Sequence, residues 1–136
     1  MDRNLLILGI AKKAGLLAVG SEDTGSAARA GKARLVVSAH DASTAALRRA
    51  HKNAEIGQSL HVVVPYTSFE LGSIIGRGSP GTLAILDIGL ATRFVVGLAK
   101  NEPVRYGESA ESLKRMALAQ NIKKRRALFA KRRTVQ

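Results

Sequence analysis

The sequence predicts an α/β protein, a three-layer α/β/α sandwich with a four-stranded mixed sheet and a basic C-terminal helical tail. Two observations support this fold class. Segments typical of helices and of strands alternate through residues 1–101. The strand segments LVVS, HVVV and LAIL are apolar without alternation, as in strands covered on both faces. The length of 136 residues fits a single domain before the tail.

The first half of the chain contains three predicted helices and two predicted strands. A helix from Asn4 to Gly15 is followed by a short strand over 16–19. The next helix opens at Ser21 and ends near Gly31, and the β-branched run at 33–39 predicts a strand. Asp41 is the expected N-cap of a third helix that extends to about residue 57.

The second half repeats the alternation. A strand over 60–64 precedes Thr67 and Glu70, whose spacing predicts a capping box at the start of a short helix ending at Gly76. A strand over 82–87 and a helix over 88–100 complete the domain, and Asp87 is the expected cap of that helix. Residues 102–109 are predicted to be a linker, and residues 110–136 a helical tail rich in helix formers.

Charge is the strongest compositional feature. The chain has 22 Lys and Arg against 10 Asp and Glu, a net charge of +12. Residues 111–136 hold nine basic and one acidic side chain, so most of this excess is in the tail. Such a balance is typical of proteins that bind a polyanion, most often nucleic acid. An anionic membrane is the weaker alternative, because the tail has few large apolar residues to insert.

Several classes of function find no support in the sequence. There are no cysteines, which excludes disulfides, thiolate nucleophiles and cysteine-based zinc sites. His40, His51 and His61 are too scattered for a metal motif. We expect a non-enzymatic protein with no metal, cofactor or small-molecule substrate. No apolar run is long enough to span a bilayer and the N-terminus does not resemble a signal peptide, so we expect a cytoplasmic protein without membrane partners.

The stretch GRGSPG, residues 76–81, fits the glycine spacing of a dinucleotide-binding turn but stands in the wrong context. That turn follows a strand and opens a helix, whereas here a predicted helix ends and a strand begins. Pro80 also removes one N–H from a phosphate cradle. Residue types alone leave two readings open: a flexible connection, or an RNA-contacting loop in which Arg77 supplies the charge.

Two segments resemble a known family. In VPYTSFELGSIIGRGSPGTLAIL, the matching residues are Leu71, Gly72, Gly76, Pro80 and Ala84. In VGSEDTGSAARAGKARLVVSAHDAS they are Gly20, Gly31, Leu35, Val36, Val37 and Asp41. Over about residues 4–100 the chain resembles the kink-turn RNA-binding family of ribosomal proteins (the L seven Ae / L thirty e family). The match looks closest to the bacterial branch, whose members are ribosomal or ribosome-associated.

The resemblance implies that two segments meet at one side of the sheet. The start of the second helix enters a groove of a sharply bent RNA at tandem sheared G·A pairs, and the loop before the last strand packs against an extruded nucleotide. The implied helix set is Gly20, Ser21, Glu22, Asp23 and Ser26. The implied loop set is Ile75, Gly76, Arg77, Gly78, Ser79 and Pro80.

The helix start departs from the family pattern Asn-Glu-x-x-Lys. Its places are taken by Glu22, Asp23 and Ser26, so a donor amide and a lysine charge are missing. We expect Lys12, Lys13, Arg29 and Lys32 to restore phosphate contacts. The tail, which lies outside the resemblance, is expected to neutralise phosphates with a steep salt dependence through nine residues. These are Lys114, Arg115, Lys123, Lys124, Arg125, Arg126, Lys131, Arg132 and Arg133.

The sequence thus predicts a ribosomal or ribosome-associated protein that binds structured RNA, with ribosomal RNA and the ribosome as expected partners. Two alternatives stay open: a protein–protein adaptor on the same fold, and a non-specific RNA binder driven by its tail. An adaptor would bind independently of RNA and of residues 109–136. A tail-driven binder would show no preference for bent RNA.

Overall fold

Helices and strands alternate as expected in a computed structural model, which describes residues 2–76 and 78–135, with side chains to residue 131. The first five elements are helix α1 (Arg3–Lys13), strand β1 (Leu17–Val19), helix α2 (Ser21–Arg29), strand β2 (Leu35–Ser38) and helix α3 (Thr44–Ile56). The remaining five are strand β3 (Leu60–Val63), helix α4 (Ser68–Ile75), strand β4 (Thr82–Ile85), helix α5 (Ile88–Asn101) and helix α6 (Pro103–Val135).

The four strands form one mixed sheet in the order β1-β4-β2-β3, which confirms the predicted fold class. Strands β2 and β3 are parallel, and β4 is antiparallel to both of its neighbours. The sheet therefore has two distinct ends. We call one the loop end, where β1, β2 and β3 finish and β4 begins. We call the other the tail end, where β1, β2 and β3 begin and β4 finishes.

The two faces of the sheet are covered by cores of different composition. On one face α1, α4, α5 and α6 bury large side chains, among them Leu8, Leu71, Phe94 and Leu113. On the other face α2 and α3 pack through small residues. Its buried members are Ala28, Ala33, Val36, Ala50, Ala54 and Ala84. Alanines let the two helices approach the sheet closely, and they complete the third layer of the sandwich.

The linker predicted for residues 102–109 is wrong. Helix α6 begins at Pro103 and runs without interruption through this segment and the tail. Tyr106 is buried and donates a hydrogen bond from its hydroxyl to the Val63 carbonyl (2.7 Å), which anchors the start of α6 at the loop end. Ala110 and Leu113 are buried one and two turns further on. These turns belong to the main core because α6 lies along α5 and covers it.

Helix caps follow the sequence in two places and differ in one. The capping box of Thr67 and Glu70 is present at α4, and Asp87 accepts the Leu90 N–H at the start of α5. Asp41 does not cap α3, where Ser43 accepts the Ala46 N–H instead. Asp41 instead accepts hydrogen bonds from the Ser68 N–H and hydroxyl at the start of α4.

Candidate nucleic-acid interface

Helix α2 starts at the loop end from a backbone conformation that only glycine adopts readily. Gly20 has φ 89° and ψ 161°, which L side chains essentially never occupy. Its N–H donates to the Thr82 carbonyl of β4 (3.0 Å), so the helix start is fixed to the sheet. Ser21, Glu22 and Asp23 form an exposed first turn. Because Gly20 has no side chain to cap them, the first N–H groups of α2 can meet an acceptor on a ligand.

The loop before β4 is shaped by a close approach to α4. A Cβ atom on Gly72 would lie 1.7 Å from the Gly78 carbonyl oxygen, so only glycine permits this contact. Gly76 ends α4, and Gly78 and Ser79 are exposed. Ile75, expected to contact RNA, is 8% exposed and packs in the main core. Its side chain holds α4 in place and is not presented to a ligand. Arg77 lies outside the described residues.

The structure brings the start of α2 and this loop side by side. The Gly81 carbonyl accepts the Ala39 N–H (2.8 Å) just before Thr82 accepts from Gly20. The Thr82 hydroxyl donates to the Val37 carbonyl (3.0 Å) beneath them. The end of the loop is thereby bonded to the connection after β2 as well as to the start of α2. Backbone hydrogen bonds thus give this part of the loop end a defined shape.

A groove of about 280 Å³ runs from the start of α2 between α2 and α3. Arg29 lies in it and donates to the Asn53 side-chain carbonyl (3.2 Å). Arg49 lines the same groove, one turn of α3 before Asn53. Sequence reasoning missed Arg49 and Asn53. Their spacing of four residues places both on one face of α3, but only the packing of α3 beside α2 shows that this face meets Arg29.

The loop end is rich in carboxylates. Glu22 and Asp23 start α2, and Glu70 lies in the first turn of α4. Asp41 accepts from the Ser68 N–H (2.8 Å) and hydroxyl (3.1 Å). The bond from the Ser68 N–H is the main reason that the pKa of Asp41 lies below its usual value. These negative charges oppose indiscriminate attraction of phosphates to the start of α2.

Three of the lysines expected to assist α2 lie at the opposite end of the sheet. Lys12 and Lys13 are in the last turn of α1, and Lys32 follows the end of α2. The reason is topological: α1 and α2 both run from the loop end to the tail end, so their C-termini are separated from the start of α2 by the length of the sheet. Among the four expected cations, only Arg29 reaches the groove beside that helix start.

Two features are absent from the part of the chain that the structure describes. No cluster of three or more His, Cys, Asp or Glu side chains could hold a metal among the described residues. Within the same residues, no helix is long and apolar enough to cross a membrane.

His61 is half-buried, and its Nε2 atom lies 2.7 Å from the Ser38 hydroxyl oxygen. Burial, followed by the nearby His51, lowers the pKa of His61 below 6.5.

Comparison with solved structures supports the fold. The chain is similar to a protein of unknown function from Bacillus halodurans C, with 24% identity and a TM-score of 0.65, over 71% of this chain and 97% of that chain. It is also similar to the Giardia lamblia 15.5kD RNA binding protein, with 17% identity and a TM-score of 0.57, over 80% of this chain and 85% of that chain. No protein-family model and no curated protein matches the sequence.

Proposed function

We propose that this chain is a non-enzymatic RNA-binding protein that recognises a kink-turn-like bend in a structured RNA. The observation that carries the proposal is the hydrogen bond from Gly20 to Thr82, the first residue of β4, which places the α2 start beside the end of the loop over 76–81. One segment presents a helix N-terminus and the other a loop of small residues. Together they suit a folded RNA whose groove is widened and whose bases are splayed.

Each part of the loop end has a distinct role in this proposal. The first N–H groups of α2 bind phosphate or base acceptors, aided by the helix dipole. Asp23 accepts hydrogen bonds from guanine donors in the opened groove. Gly78 and Ser79 leave space for an extruded nucleotide to approach the backbone. Arg29 and Arg49 supply positive charge in the groove, in place of the lysine missing from the helix start.

Fold and charge support the same function. The Giardia lamblia protein of similar fold is an RNA binding protein by its name. The net charge of +12 is typical of a partner for a polyanion. We propose ribosomal RNA as the target, in a cytoplasmic protein that belongs to or visits the ribosome, because the sequence resembles the bacterial branch of the kink-turn family.

The test compares two RNAs and two carboxylate variants of the full chain. One RNA contains a kink-turn, and the other has its G·A pairs replaced by Watson–Crick pairs. In Asp23→Asn the acceptor for guanine is weakened, so affinity for the kinked RNA should fall about tenfold while affinity for the control RNA stays level or rises. Glu108→Gln removes an exposed carboxylate of α6 and is the matched control. If Asp23→Asn strengthens binding to both RNAs, Asp23 is only a repulsive charge and the proposed contact is absent.

A non-specific RNA binder driven by α6 is the second candidate. It is favoured by one observation: α6 carries a dense run of exposed cations, while the first turn of α2 carries the carboxylates Glu22 and Asp23. Such a protein would bind both RNAs equally, with an affinity that disappears when the cations of α6 are neutralised.

A further inference from the structure

Basic residues from three parts of the fold converge on the tail end: α1, the connection between α2 and β2, and α6. Helix α1 contributes Lys12 and Lys13, the turn after α2 contributes Lys32, and the segment entering β2 contributes Arg34. Arg34 is exposed and lines a cavity of about 470 Å³ with Lys123 of α6. Two carboxylates near this end are already engaged: Glu55 pairs with His51, and Asp87 caps α5. Sequence order scatters these cations over more than 100 positions, and the fold assembles them.

Beyond this cluster α6 continues, and we call its residues 121–135 the arm. Every described side chain from Asn121 to Lys131 is exposed, and Val135 lies about 18 Å further along the helix than Lys123. Residues 112–136 contain nine basic side chains and no acidic one. At about 100° per residue, Lys123, Lys124, Arg125 and Arg126 point to four different sides of the helix. A helix with positive charge on all sides can lie between two phosphate backbones.

The arm is directed away from the loop end. Tyr106 fixes α6 at the loop end, the Thr92 hydroxyl contacts the Leu113 carbonyl oxygen (3.5 Å) along α5, and Lys123 lies near Ile88 at the tail end. Along the axis of α6, Lys123 lies about 26 Å and Val135 about 44 Å from Tyr106. The Debye length is about 8 Å at physiological salt, so cations of the arm do not act on phosphates bound at the start of α2.

We propose that the tail end is a second RNA surface, which binds the phosphate backbone of an A-form duplex and lets one protein bridge two RNA segments. Of the two RNA segments, the one bound at the loop end rests on the proposed function, and the one bound at the tail end does not. The second surface consists of the tail-end cluster and the cations of the arm. Because it meets phosphates and not bases, it takes any RNA duplex regardless of sequence.

Two simpler explanations account for only part of the pattern. Cations at the C-termini of α1 and α2 stabilise the helix dipoles, which explains Lys12, Lys13 and Arg29 but not Arg34 or the arm. A membrane surface needs a segregated apolar face. Leu118, Ile122 and Phe129 share one side of α6, but Arg125 and Arg126 border that side. Met116 and Leu128 point to other sides. An RNA that presents phosphates to more than one side of the helix matches the arm better than a membrane surface does.

The experiment uses the full chain and two RNA probes, the kink-turn RNA and a perfect RNA duplex. The duplex is immobilised, and retention of labelled kink-turn RNA is measured as protein is added. The tail variant is Lys123→Gln, Lys124→Gln, Arg125→Gln, Arg126→Gln, which changes four exposed positions. The control variant removes the same charge elsewhere on the surface, through Arg48→Gln, Lys52→Gln, Arg93→Gln and Lys100→Gln. Vesicles of anionic lipid provide a third probe.

The wild type and the control variant should retain kink-turn RNA on the duplex, with a maximum at intermediate protein concentration, as bridging requires. The tail variant should bind duplex at least tenfold more weakly, keep its affinity for kink-turn RNA within about threefold, and lose bridging. Duplex that displaces kink-turn RNA without bridging would overturn the proposal, as would a tail variant that loses both probes equally. Binding of the arm to vesicles and not to duplex would overturn it as well.

Failure of the first function gives a different pattern. If the kinked RNA and its Watson–Crick control bind equally, the loop end does not read a bend. Duplex binding that still depends on the four tail cations would then support the second surface independently. The two proposals are therefore separated by which probe loses affinity and in which variant.

Discussion

The loop end and the tail end of the sheet present different side chains at their surfaces. At the loop end, glycines and backbone hydrogen bonds fix the course of the chain, and carboxylates such as Asp23 and Asp41 occupy the surface. At the tail end, backbone hydrogen bonds such as that from the Arg34 N–H to the Ile85 carbonyl also fix the chain. Its surface differs because lysines and arginines from α1, from the connection between α2 and β2, and from α6 accumulate there.

This difference indicates how a protein with a net charge of +12 can still be selective. Cations bind any phosphate, so cations at a recognition site would raise the affinity for every RNA to the same extent. Here they are concentrated away from the start of α2, where Arg29 and Arg49 are the cations lining the adjacent groove. Under the proposed function, the loop end rejects RNAs whose shape does not match, while the tail end binds duplex phosphates.

The largest expected effect tests where the domain stops and the arm begins. Leu113→Ala should lower the free energy of unfolding by about 2–5 kcal/mol, because Leu113 is fully buried between α6 and the main core. Leu118→Ala, in the same helix but 61% exposed, should change it by less than about 0.5 kcal/mol. Urea unfolding measures both. Equal effects would mean that the two parts of α6 are not distinct.

The second prediction concerns the backbone shape of the loop end. Gly72→Ala should cost about 1–3 kcal/mol of stability, because its Cβ would collide with the Gly78 carbonyl, and it should weaken binding of kinked RNA. Gly107→Ala is the matched control within α6. No atom lies within 4 Å of its Cβ, and alanine favours the helix by about 0.5–1 kcal/mol. Similar thermal unfolding of the two variants would contradict the close approach.

The smallest expected effect is on pH dependence and concerns neither end. Burial keeps the pKa of His61 below 6.5, so below that pH the unfolded chain binds more protons than the folded one. The stabilisation is complete above pH 6.5 and is lost as the pH falls. His61→Gln should flatten the decline in unfolding free energy between pH 7 and 5, by at most about 1.4 kcal/mol per pH unit. Parallel curves for His61→Gln and wild type would disprove this assignment.

Most of the fold could be predicted because its elements have clear local signals. Apolar strands, the capping box at Thr67 and the cap at Asp87 gave the order of elements correctly. The start of α6 was missed because Pro103 and Gly107 are residues typical of connections. Proline is, however, tolerated in the first turn of a helix. The recurrence of Tyr106, Ala110 and Leu113 at helical spacing was the signal that α6 packs on the core.

The site could be predicted less completely, because its assembly depends on strand direction. Gly20 and the loop over 76–81 were found from their residues and from the family resemblance. The antiparallel placing of β4 brings these segments together. The direction of α1 and α2 along the sheet puts Lys12, Lys13 and Lys32 at the far end. Nothing in the local sequence shows that direction. Ile75 was misassigned because a residue at the end of a helix can face either the loop or the core.

The measurement that tests the central claim most directly is the preference for kinked RNA in the tail variant. Affinities of the wild type and of the four-glutamine variant would be measured for the kink-turn RNA and its Watson–Crick control across a salt series. We predict a preference of tenfold or more, about 1.4 kcal/mol, in both proteins, with a shallower salt dependence for binding of the Watson–Crick control in the variant. A ratio near one in either protein would contradict recognition of RNA shape by the loop end.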